Sequence, residues 1–138
     1  MQRMKKAAGL ALALVLCLGL LEVPAGAASG EAIDAAYQLY EKGLFMGTGT
    51  DSDGAPIFEL DRAPTRHEAV TMLVRLLGKE PEAQSRSWQT PFTDVADWAK
   101  PYVGYAYAHG LTNGTSATTY SGAETVTATQ YLTFVLRT

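Results

Sequence analysis

The sequence predicts an all-α fold of two tandem helix–loop–helix units, and three observations carry that expectation. First, the chain states one pattern twice. Gly43-Leu44-Phe45-Met46-Gly47, a polar loop and Thr65-Arg66-His67-Glu68 return as Gly110-Leu111-Thr112-Asn113-Gly114, a shorter loop and Thr127-Ala128-Thr129-Gln130. Second, each later block is a capping box: the threonine accepts from the N–H three residues on, and Glu68 or Gln130 reaches back to the threonine N–H. Third, apolar residues of helical period follow each box, Ala69, Val70, Met72, Leu73, Leu76 and Leu77 in one unit and Tyr131, Leu132, Phe134, Val135 and Leu136 in the other. A repeat of this length favours a modular array over a single-core enzyme, because each unit needs a neighbour to bury its apolar face.

Residues 1–27 read as a secretory signal peptide. Arg3, Lys5 and Lys6 precede an unbroken apolar run of 15 residues, Ala7 to Leu21, and Pro24 and Ala25-Gly26-Ala27 supply the break and the small residues of a cleavage site. The run is short of the roughly 20 residues of a membrane span. The single cysteine, Cys17, lies inside it behind the bulky Leu16, which argues against a lipid anchor. Removing Arg3, Lys5, Lys6 and Glu22 from the 11 basic and 14 acidic residues leaves 8 and 13, a net charge of −5 without cysteine. Such a chain holds together by packing alone, and its charge argues against nucleic acid and anionic membranes as partners.

The first unit is assigned to residues 28–80. Glu31 to Lys42 places Ile33, Ala36, Tyr37 and Tyr40 at helical spacing, with Gly43 positioned to end the helix. Asp51-Ser52-Asp53-Gly54 reads as a hairpin-like polar turn. A calcium loop is disfavoured, since Gly49 and Leu60 would fall on its first and twelfth ligand positions. The helix after Thr65 stops at Gly78, and residues 81–90, polar and opened by Pro81, read as a connector. The second unit, residues 91–138, begins its first helix at Asp97 as N-cap, with Pro101 in the first turn, and runs to His109 before Gly110. The glycine blocks lie 67 residues apart and the later blocks 62, so one loop loses five residues. The last helix is still turning at Arg137-Thr138, so the second repeat is expected to be truncated at its C-terminus.

Phe92-Thr93-Asp94-Val95, then Trp98, Gly110-Leu111, Gly114, Tyr120 and the block from Thr127 follow the order of an S-layer homology motif. The first unit resembles the same family through Gly43-Leu44, Phe58 and Pro64-Thr65-Arg66-His67-Glu68, with His67 where alanine is usual. It lacks the Phe-x-Asp-Val opening and carries Glu31 at the position of Trp98; the second unit has Ala128 in place of Arg66. The resemblance implies an exported, non-enzymatic surface module, part of a pseudo-threefold head of three motifs, needing no cofactor. It also implies non-covalent anchoring to the bacterial cell wall through an anionic, pyruvylated secondary cell-wall polymer. The alternative is a structural or self-associating repeat of an envelope protein that binds no glycan, the main activity lying in a missing C-terminal region.

Seven residues are candidate polymer contacts: Arg66, Thr65, Glu68, Trp98, Asp94, Gly47 and Gly114. Arg66 leads, because a guanidinium at a helix N-terminus grips a carboxylate with two hydrogen bonds; its bland reading is solvation or pairing with Asp61 or Glu59. Thr65 and Glu68 are accounted for by the capping box. Trp98 offers an aromatic face to sugar C–H groups, against a stronger reading as core. Asp94 either caps a turn or faces ligand, and Gly47 and Gly114 serve tight turns or close ligand approach. No His, Cys, Asp and Glu spacing defines a metal site or a nucleophile motif. A site is expected between the units, because they divide its components.

Overall fold

A computed structural model describes residues 28–138; the expected signal peptide lies outside them. Helix α1, Gly30–Glu41, starts where Ser29 accepts from the Ala32 N–H at 3.3 Å and has Glu31 in its positive first turn. Gly43, at φ 69°, turns the chain away from it. Tyr37, Tyr40 and Phe45 then close around Phe58 with ring centroids 5.1, 6.1 and 5.3 Å away. This aromatic knot fastens α1 to a two-stranded antiparallel hairpin, β1 Gly49–Thr50 and β2 Pro56–Ile57, with Gly49 opposite Ile57. The all-α expectation is corrected to that extent. The hairpin closes through the polar turn read from the sequence, where Asp51 Oδ1 accepts from the N–H groups of Asp53 and Ala55.

Helix α2, Arg66–Leu76, carries the complete capping box: Glu68 N–H donates to Thr65 Oγ1 at 3.3 Å and Thr65 N–H to Glu68 Oε2 at 2.7 Å. The connector is more than a linker. Residues Glu80–Gln84 form a short helix α3 with Pro81 in its first turn, and Trp88 behind it donates its indole N–H to the Ala83 carbonyl at 2.7 Å. Glu80 sets this arrangement by accepting from Arg75 Nε at 2.9 Å and from the Tyr102 hydroxyl, so α3 is tied to both neighbouring helices. Polarity and a proline disguised the helix, whose stability comes from these tertiary partners.

A 3₁₀ turn, Asp97–Ala99, leads directly into α4, Lys100–Ala108. Asp97 caps neither; Ala96 precedes the turn and Ala99 precedes α4, both without a side-chain bond, and the Asp97 carboxylate pairs with Lys100. Helix α5, Ala128–Val135, repeats the capping box with Thr127 and Gln130.

The core lies between the units. Helix α2 of the first unit packs most extensively on α4 of the second and also meets α5, while α3 packs on α4 as well. Ala69, Val70, Leu73 and Val74 thus share one buried cluster with Val103, Ala106, Tyr120, Tyr131 and Phe134. Helix α1 stands at the edge, with Ala36 its only fully buried residue.

Candidate functional site

The seam that joins the units is built first from backbone. The opening N–H groups of α2 have no backbone partner within the helix; Thr65 takes that of Glu68, and the second unit supplies acceptors for the two before it. Arg66 N–H donates to the Glu124 carbonyl at 2.8 Å, His67 N–H to the Gly122 carbonyl at 2.9 Å, and Val126 N–H donates back to the Pro64 carbonyl at 3.0 Å. Thr65 and Thr125 face each other as an antiparallel bridge. The loop that presents these carbonyls is bent by Ser121 at φ 57°, and Asp94 holds the bend, accepting from the N–H groups of Tyr120 at 2.7 Å and Ser121 at 2.8 Å. These bonds, the Tyr120 N–H first, keep the Asp94 carboxyl below its usual range.

His67 fills the seam and is 4% exposed. Its ring stacks on Tyr120 with centroids 5.7 Å apart and takes the edge of Trp98 at 5.6 Å. It sits so close to Gly122 that a Cβ there would overlap the imidazole. Its Nε2 is buried without a hydrogen-bond partner among the described residues. Burial lowers the His67 pKa, with Asp94 and Glu68 pulling the other way. The unfolded chain therefore takes up this proton more readily than the folded one. The His67 contribution to stability is full above the ordinary histidine range, about pH 6.5, and is lost as pH falls below it. Asp94 and Glu68, held low, act in a separate window below about pH 4. His67→Phe, which keeps a ring and removes the proton site, should flatten the melting temperature between roughly pH 7 and pH 5 while sparing the loss at lower pH. A wild-type melting temperature that is constant from pH 7 to pH 5 would contradict this assignment.

Arg66 is half-buried and is not paired with Glu59 or Asp61. Its guanidinium lies 5.0 Å from the ring centroids of both Tyr120 and Phe134, and its Nη2 donates to the Asn113 carbonyl at 2.8 Å. All three partners belong to the second unit, so Arg66 is a strut across the seam with a cation–π component. Glu59 pairs instead with Arg62, which also grips Glu68 by both oxygens, Nη1 to Oε2 at 2.9 Å and Nη2 to Oε1 at 2.7 Å. That grip, more than the Thr65 N–H, holds the Glu68 carboxyl below its usual value.

Trp98 is 55% exposed, which overturns the reading of it as a core residue. It belongs to the 3₁₀ turn ahead of α4, where Ala99 takes the inward position and Trp98 is left at the rim beside His67. The other candidates are occupied within the protein. Thr65 and Glu68 cap α2, Asp94 clasps the Tyr120–Ser121 turn, and the two glycines admit close packing. A Cβ on Gly47, at φ 72°, would strike the Ile57 carbonyl, and one on Gly114 would stand 2.5 Å from Phe92 Cε1 and 2.6 Å from the Thr119 carbonyl. The seam thus gathers Arg66, Thr65, Asp94 and Trp98, and leaves Gly47 apart in the hairpin. Sequence reasoning missed Tyr120, Asn113 and Gly122 as seam residues. The one available signal was His67 itself, a bulky ring where the second unit has Thr129.

Among the described residues no group of three metal-ligating side chains converges, and no helix is long and apolar enough to cross a membrane. The S-layer homology domain family matches residues 91–127, the stretch that contributes Asp94, Trp98, α4 and the seam loop. A "Cell surface protein" of Thermoanaerobacter kivui is 32% identical over 107 residues, 75% of this chain. The chain spans 14% of that relative's length. No solved structure matches the chain. The match places residues 91–127, in the second unit, in the S-layer homology domain family.

Proposed function

We propose that this chain is a cell-surface anchoring module that binds an anionic, pyruvylated cell-wall polymer along the seam between its units, as one part of a head of several motifs. The observation that carries this reading is the pairing of Arg66, a cation placed by the fold at a helix N-terminus, with the exposed indole of Trp98 on the same seam. Asn113 engages one guanidinium nitrogen, and Nε has no partner among the described residues. Because Nε is buried, Nη1, which makes no hydrogen bond among the described residues, is the nitrogen left for a carboxylate, while Trp98 offers a flat face to a sugar ring. The role is retention rather than catalysis. The match to a cell surface protein supports the location, and the apolar run near the N-terminus supports export.

The purified protein should sediment with native wall sacculi and stay in solution once the secondary polymer has been stripped. Arg66→Ala should weaken retention by roughly ten- to a hundredfold, the worth of a charge-assisted hydrogen bond. Arg86→Ala, which removes an equal charge beside Trp88, should leave retention unchanged. Equal sedimentation with native and stripped walls would sink the proposal, as would full retention of a folded Arg66→Ala protein.

A further inference from the structure

We propose that Asn113 is a modification site at which the chain deamidates without an enzyme, and that the isoaspartate so formed meets Arg66 with a carboxylate in place of a neutral carbonyl. Asn113 is the only asparagine of the chain, and Gly114 follows it. The Asn113 side-chain amide is the electrophile and the Gly114 backbone nitrogen the nucleophile; they close a succinimide ring, and glycine has no side chain to obstruct the closure. The structure leaves both ends open. Asn113 is exposed in a loop, its side-chain amide makes no hydrogen bond among the described residues, and the Gly114 N–H donates to none of them. Asp53-Gly54 sets the contrast, because there the Gly54 N–H is held by the Asp51 carbonyl at 3.1 Å.

The Gly114 nitrogen gives up its proton and attacks the Asn113 side-chain carbonyl carbon. A new C–N bond forms, the bond to the amide nitrogen breaks, and that nitrogen leaves as ammonia. Water then opens the ring. Attack at the side-chain carbon returns an ordinary aspartate. Attack at the main-chain carbon, the more electron-poor because its neighbour carries the amide nitrogen, breaks its bond to the Gly114 nitrogen, which recovers a proton. The chain then runs through the former side chain as isoaspartate. In sum a water is consumed and an ammonia released, and nothing is oxidised or reduced.

What the fold adds is the position of the freed oxygen. The Asn113 main-chain carbonyl accepts from Arg66 Nη2 at 2.8 Å. In isoaspartate that oxygen stays on its carbon and becomes half of a carboxylate, so a neutral hydrogen bond across the seam turns into a charge-assisted one. Nη1, unengaged among the described residues, lies beside it for the second oxygen. The loop itself is strained by the change, because an extra methylene enters the main chain between Thr112, fully buried, and Gly114, close-packed on Phe92 and the Thr119 carbonyl. Each component occurs once: the first unit has Met46 at the place of Asn113, and the second has Ala128 at the place of Arg66. The conversion needs only water and time, so it marks the age of the molecule.

Incubation of the purified protein at mildly alkaline pH, without wall polymer, tests the first step. Its intact mass should rise by the difference between a hydroxyl and an amino group, peptide mapping should place the change at Asn113 with isoaspartate as the larger product, and Asn113→Gln should abolish it. The isoaspartate form, separated by its extra negative charge, tests the second step. Added salt should lower its melting temperature relative to the unconverted protein, since screening weakens the new pair. The fall in melting temperature on conversion should be larger by at least about 4 °C in Arg66→Gln than in the wild type or in Arg66→Lys, which keeps the charge. An unchanged mass, while the free peptide of residues 111–116 converts, overturns the proposal. So does a converted wild-type protein without that salt dependence, a measurement that needs no variant to fold, or a fall that is the same with and without the charge at Arg66.

Discussion

Gly122→Ala is expected to lower the melting temperature by roughly 10 °C, from an overpacking cost on the order of 3 kcal/mol. The backbone at Gly122 is not left-handed, so the penalty is steric alone: the added methyl would occupy the space of the His67 ring. That ring has no easy retreat. Tyr120 lies along one face, Trp98 stands at its edge, and its own backbone is tied to the Gly122 carbonyl at 2.9 Å. The distinguishing result is the double variant. His67→Ala alone opens a cavity and is destabilising; combined with Gly122→Ala, the two changes should offset each other by at least about 1 kcal/mol in a double-mutant cycle. Additive losses would show that the two residues do not compete for the same space.

Val74→Asp and Leu136→Asp make the same substitution at equivalent places in the two units and should give opposite outcomes. Val74, on α2, is fully buried in the cluster the two units share, where a carboxylate would have no partner; the cost, on the order of 5 kcal/mol, is comparable to the whole stability of a small domain. Loss of the helical circular-dichroism signal at room temperature is expected. Leu136→Asp, on an exposed position, should change stability by no more than about 0.5 kcal/mol. Similar behaviour of the two variants would mean that the units bury equivalent faces, contrary to the interlocked core.

These two cases mark where the sequence is readable. The capping boxes, the polar turn at Asp51 and the glycine that ends α1 follow from short-range chemistry, and the structure carries them as read. What depends on partners distant in sequence was not legible. Helix α3 forms because Glu80 finds Arg75 and Tyr102. Asp97 was a plausible cap, but the local choice of Lys100 as partner displaced it. Trp98 has the composition of a core residue and lies at the rim, because Ala99 takes the inward position. For the candidate site, the sequence pointed to Arg66 and to a place between the units. It did not show that Tyr120, Phe134 and Asn113 enclose the guanidinium, since they lie 47 or more residues away along the chain.

The interlocked core also bears on the time course of folding. The hydrophobic cluster is shared by both units, and the Thr65–Thr125 bridge is made only when a loop of about 60 residues has closed, at an entropic cost of roughly 4 kcal/mol. Helical segments of this size form within microseconds, yet here they gain little until the ends of the loop have met. The chain is therefore expected to fold more slowly than its helix content implies and in one cooperative step, without the unit-by-unit unravelling of an open array of repeats.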